Sequence, residues 1–203
     1  MRRIQSLLLG SAALAVFAPI GNAHFRLVEP AQWIEQNEKG DPQKAAPCGG
    51  TSADPGKPTN TVVKVQGGDK LHIKIQETVF HPGFYRIALA VNSRDELPKD
   101  PEPQTIASAR GPLSVSGTIQ YPPQAPILAN GLWQHTTRFD KDLETDVEIP
   151  NISCAKCTLQ VIQFMANHAL NKDGDYTYHH CVDLQIQPNA SKPVDTHFPA
   201  EKK

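Results

Sequence analysis

The chain has 203 residues, and 20 lysines and arginines stand against 21 aspartates and glutamates, a formal net charge of −1. That balance lacks the basic stripes that neutralise phosphates, so it argues against nucleic acid and, by the same logic, against polyanions and membrane surfaces as partners. The length suits one domain with a substantial core, and a neutral partner such as a glycan fits its charge.

Residues 1–23 read as a secretory signal peptide: Arg2 and Arg3 open it, an apolar run spans residues 7–20, and Gly21 and Ala23 flank the expected cut. The run is too short and too early for a membrane span in the mature protein. Cleavage after Ala23 predicts a secreted or periplasmic protein whose first residue is His24. An N-terminal histidine offers its α-amine and its ring Nδ1, which together close a chelate on one metal ion.

Strand signals follow over residues 62–65, 71–75, 85–91, 118–121, 145–149, 158–164 and 181–186. Eighteen prolines and thirteen glycines punctuate them, and no stretch carries a helical period. This pattern predicts an all-β fold, an immunoglobulin-like or fibronectin-like β-sandwich with long loops. The long loops are residues 32–60 and 92–112, lengths that usually mark functional surfaces. The domain is expected over residues 24–187, with residues 188–203 a disordered tail. Alternation in the 71–75 strand turns His72 to solvent.

Export to an oxidising compartment makes two disulfides the default for Cys48, Cys154, Cys157 and Cys181. Cys154 and Cys157 are close enough to bridge locally, which pairs Cys48 with Cys181. The rival is a zinc or redox CxxC, but no matching second pair and no βαβ pattern accompany it.

Three segments carry candidate chemistry. His24 is the first. His81 lies in Phe80-His81-Pro82-Gly83-Phe84-Tyr85, at a turn between two strands, where the imidazole reaches the end of the domain. In Tyr176-Thr177-Tyr178-His179-His180-Cys181, strand alternation puts Tyr176, Tyr178 and His180 on one face and Thr177, His179 and Cys181 on the other. Each feature has an ordinary reading, as loop filler, surface histidines or packing tyrosines. Trp33 and Trp133 are the aromatic candidates for stacking on a sugar, with packing into the domain as the alternative. No acidic pair and no nucleophile elbow stand out, which leaves hydrolytic glycosidase and serine-hydrolase chemistry without support.

In combination, His24 after a signal peptide, the H-P-G-x-Y turn at His81 and Tyr178-x-x-Cys181 resemble the histidine-brace copper proteins, lytic polysaccharide monooxygenases above all. The resemblance covers the mature domain to about Ile186, and the Cys48–Cys181 pairing is similar to a disulfide common in fungal members. It implies one type-2 copper ion held by the amine and Nδ1 of His24 and by a ring nitrogen of His81, with Tyr178 axial. Three nitrogens in a near-planar T suit Cu(II). It implies oxidative cleavage of a polysaccharide surface (chitin, cellulose or another glycan) by a monomer fed by an external electron donor, with Trp33 on the substrate.

His168 resembles the second-sphere histidine of fungal members, although its spacing to Tyr178 is one residue off. No glutamine stands two places before Tyr178, where Tyr176 is found, so Gln163, His135 and His180 are the substitutes for that polar role. His180 is also an alternative to Tyr178 as ligand. Two other function classes fit the sequence: a non-catalytic copper-binding protein for acquisition, delivery or tolerance, and a metal-free carbohydrate-binding sandwich.

Overall fold

The computed structural model describes residues 23–170 and 176–202. The expected signal peptide therefore lies outside the described residues except for Ala23, which packs into the main core.

Ten strands build the fold: β1 (His24–Glu29), β2 (Val62–Gln66), β3 (Lys70–Val79), β4 (Gly83–Ala90), β5 (Pro103–Ser108), β6 (Gly111–Gly117), β7 (Ile127–His135), β8 (Leu143–Glu148), β9 (Cys154–Met165) and β10 (Thr177–Gln187). They form a three-stranded sheet in the order β1-β3-β8, a five-stranded sheet in the order β2-β10-β9-β4-β7, and the hairpin β5-β6. The two larger sheets face one another. Phe25, Leu27, Ile73, Ile75 and Val147 from the small sheet pack against Ile87, Leu89, Leu159, Val161 and Val182 from the large one. This is the immunoglobulin-like β-sandwich with long loops that the strand pattern predicts.

Alternation along the central strands gives two distinct faces. In register, Tyr178, Gln163 and Tyr85 form one row across β10, β9 and β4, and His180, Val161 and Ile87 form the next row on the same inner face. Between them runs the outer row of His179, Ile162 and Arg86. Cys181 lies on the outer face and bonds to Cys48 across 133 residues, which fastens the long loop to β10. Cys154 and Cys157 are also bridged, within β9. Tyr176 departs from the expected face: β10 begins at Thr177, and Tyr176 instead clusters with Phe84 and Phe164.

Four segments differ from the sequence reading. Residues 118–121 form no strand, because the chain runs on into Pro122 and Pro123, which lack backbone donors, and Tyr121 is left 89% exposed. The neighbouring strand is β7, whose register shifts against β4 and whose Gly131 (φ 69°) and Trp133 (φ 47°) resemble turn positions from sequence. Within the expected 92–112 loop lies strand β5, the first half of an exposed hairpin with little apolar alternation to reveal it. Residues 188–202, expected as a disordered tail, run along the sandwich. There Asn151 Nδ2 donates to the carbonyls of Asn189, Lys192 and Pro193, and Glu201 accepts from the Ala155 amide at 2.7 Å.

Candidate metal centre

Register brings the three candidate segments to one end of the sandwich. His24 opens β1 opposite Val79, the last residue of β3, and His81 follows two residues later in the turn to β4. Tyr178 lies near the start of β10 opposite Gln163, close to the end of β9, after which the chain reaches His168.

The side chains meet there. The rings of His24 and Tyr178 are 5.1 Å apart between centroids, and those of His81 and His168 are 4.9 Å apart. Lys44 lies over one pair and acts on the other through its charge. Its Nζ lies 3.8 Å from the Tyr178 ring centroid, and its charge lowers the pKa of both His81 and His168. All five residues are largely buried, between 1% and 9% exposed, so their polar atoms act in a low-dielectric setting.

That setting fixes protonation. Burial holds the His81 imidazole below its ordinary range, and Lys44 adds to the effect. Burial, then the charges of His81 and Lys44, pushes His168 down to about 4. Both rings are therefore neutral near pH 7, the form that ligates a metal. Burial raises the Tyr178 phenol well above its usual value, with the Asp41 charge contributing, so Tyr178 keeps its proton.

Two carboxylates stand behind the histidines. Asp41 Oδ1 is 3.1 Å from His24 Nε2. Burial pushes the Asp41 acid up, but the hydrogen bond and charge of His24, with Gln43 and Asn37, outweigh it and hold the carboxyl below its ordinary value. Glu77 Oε1 accepts from the His81 amide at 3.3 Å, from Gln163 Nε2 at 3.3 Å and from His135 Nε2 at 2.9 Å. Burial works against the charged His135 ring, yet its bonds to Glu77 and to the Trp133 carbonyl raise its pKa.

Asp41 and Lys44 both belong to the long loop, and the loop reaches the site through a close approach at Gly40. That residue has φ 101°, and a Cβ there would lie 1.9 Å from the Phe25 carbonyl oxygen. Gln43 Oε1 then accepts from the Phe25 amide, the His179 amide donates to the Gln43 carbonyl, and Cys48 closes the anchor at Cys181.

Of the residues singled out from sequence, His24, His81, His168, Gln163 and Tyr178 gather at this end. His135 adjoins them through Glu77. His180 sits one inner row further down β10, where its Nε2 donates to the Phe25 carbonyl at 2.9 Å and burial pushes its pKa to about 4. Trp33 is elsewhere: its amide donates to the Cys181 carbonyl, its Nε1–H to the Cys48 carbonyl at 2.7 Å, and the Arg94 guanidinium covers its ring at 3.8 Å. Trp133 packs edge-on against Tyr85. Asp41, Lys44 and Glu77 were not among the sequence candidates. Glu77 alone left a signal, a charge following Ile73 and Ile75 on the inward face of β3.

Among the described residues, no three or more histidines, cysteines, aspartates or glutamates assemble as a metal-holding group. The donor set at this end is of another kind: the imidazoles of His24 and His81 and the phenol of Tyr178. A neutral His81 imidazole with a protonated Tyr178 phenol is chemically suited to copper.

No family model matches the chain, and no curated protein matches it. Among solved structures it is similar to a lytic polysaccharide monooxygenase AA15 from Thermobia domestica in the Cu(I) state, with a TM-score of 0.39 and 15% identity. The match covers 64% of this chain and 65% of that one, so this chain spans somewhat under two thirds of its length.

Proposed function

We propose that this protein is a secreted or periplasmic, copper-dependent polysaccharide monooxygenase. In this reading, residues 1–23 are a signal peptide, and cleavage after Ala23 gives a domain that begins with a free His24 amine. His24 would hold one type-2 copper ion through that amine and Nδ1, His81 would supply a third nitrogen, and Tyr178 would offer its phenol oxygen. The observation that carries the proposal is that the His24–Tyr178 and His81–His168 ring pairs occupy one buried end of the sandwich, with Lys44 over the Tyr178 ring.

Bound copper would supply one-electron redox chemistry, driven by an external electron donor, for oxidative attack beside a glycosidic bond. The chain's own residues organise the site. Asp41 engages Nε2 of His24, which leaves Nδ1 as the ring nitrogen that would serve the metal. Tyr178, held as a phenol, presents a neutral oxygen and adds no charge. His168 stands beside His81 as a neutral imidazole able to hydrogen-bond a polar co-substrate. Gln163, opposite Tyr178 from the neighbouring strand, takes the place of the glutamine missing two residues before Tyr178.

The test uses mature protein beginning at His24, loaded with one equivalent of copper and incubated with ascorbate and a panel of glycans. Mass spectrometry is expected to show oxidised oligosaccharides that vanish in His81→Ala. Tight copper binding without oxidised product from any glycan would replace catalysis by copper handling.

A further inference from the structure

Glu77 stands where an apolar residue is expected. It continues the inward face of β3 after Ile73 and Ile75, and its side chain is 3% exposed, as is that of its partner His135. A charge taken out of water this completely is tolerated only where strong donors converge on it. Three converge on one oxygen, from three separate elements: His135 on β7, Gln163 on β9, and the backbone amide of His81 in the turn. His135 Nδ1 also donates to the Trp133 carbonyl at 2.8 Å, so both ring nitrogens are held by oxygen partners and the ring is fixed in place.

The connections are unusual for a stabilising pair. Oε2 of Glu77, Oε1 of Gln163 and the Tyr85 hydroxyl are buried without a protein partner among the described residues. Each such atom costs stability, so the network is not the arrangement that packing alone selects. What it does achieve is positional. By accepting from the His81 amide four residues on, Glu77 sets how the chain leaves β3 and where the His81 ring begins. By accepting from Gln163, the register partner of Tyr178, the same oxygen fixes the amide behind the phenol.

We infer that Glu77, by accepting from His135, Gln163 and the His81 amide at one oxygen, is a positioning residue that sets His81 and Gln163 together for the candidate metal centre. The inference rests on the copper reading above. It extends that reading to a residue that touches neither metal nor substrate.

The experiment compares wild type with Glu77→Gln and Glu77→Asp, each beginning at His24. Glu77→Gln is expected to weaken copper affinity about 10- to 100-fold and to alter the Cu(II) EPR spectrum, with a cooperative thermal transition retained. Glu77→Asp, which keeps the charge, is expected to recover part of the affinity. Unchanged affinity and an unchanged spectrum in Glu77→Gln would overturn the inference. A metal-free readout stands beside these, whether or not the variants fold. In wild type, the His81 amide, outside any strand ladder, is expected to be protected from hydrogen exchange and shifted downfield by the carboxylate. An unprotected His81 amide would likewise overturn it. Failure of wild type to bind copper defeats the copper reading, while the His81 amide, measured without metal, still decides whether Glu77 positions His81.

Discussion

Asp41 Oδ1 lies 3.1 Å from Nε2 of His24, so one ring nitrogen of the first residue of β1 is already engaged by the long loop. A carboxylate on the far nitrogen of a metal-binding histidine fixes both its tautomer and its ring orientation. Asp41→Asn is therefore expected to lower copper affinity about tenfold. It should leave the melting temperature nearly unchanged, because the Asp41 side chain is 36% exposed and outside the core. Competition titration against a chelator of known affinity measures the first, and a thermal melt the second.

Lys44 makes a separate prediction in the metal-free protein. Its charge holds down the pKa of both His81 and His168. Removing a cation favours the imidazolium form, so Lys44→Met is expected to raise both values, with His168 rising from about 4. An NMR titration of the ring protons reads this directly. Two unmoved titration curves would show that Lys44 does not couple the histidine pairs.

The two disulfides close loops of very different size, with sequence separations of 133 and 3. In the chain-entropy account, opening Cys48–Cys181 with paired alanines costs about 5 kcal/mol, against about 2 kcal/mol for Cys154–Cys157. The larger loss is expected to come with weakened copper binding, since Cys48 fastens the loop that carries Asp41 and Lys44. Denaturant unfolding of the two double variants compares them.

On the outer face, Asp100 Oδ1 pairs with His179 Nε2 at 2.8 Å. Burial raises the Asp100 acid, but the His179 hydrogen bond and charge, followed by Arg86, bring it below its ordinary 3.8. A carboxyl that titrates lower in the folded chain adds stability above the unfolded value and loses it as pH falls through the folded one. Asp100→Asn should thus cost about 1.5–3 kcal/mol at pH 7, with the gap to wild type closing below about pH 4. Chemical denaturation at pH 7 and at pH 3 measures both ends.

Legibility from sequence followed the periodic strands. Leu71, Ile73 and Ile75 alternate with polar residues, and β3 forms there with His72 exposed. Strand β7 was hidden because Asn130-Gly131 resembles a turn and the strand is bulged against β4. Tyr178 and His180 fell on one inner face as alternation requires, while Tyr176, just outside the strand, did not. Asp41 and Lys44 were invisible for a different reason. They lie in a loop with no period, and long-range contacts alone bring them in: Gly40 against β1, Gln43 against β1 and β10, and Cys48 to Cys181. Glu77 was readable in principle, as a charge on the apolar face of a central strand.

The central claim is that a free His24 amine completes a copper chelate with Nδ1 of the same residue and the ring of His81. The most direct measurement is copper affinity, by titration and Cu(II) EPR, for protein beginning at His24 and for protein retaining Ala23. The account predicts tight one-to-one binding with a three-nitrogen signature in the first and loss of most of that affinity in the second. Equal affinity and identical spectra for the two would contradict it.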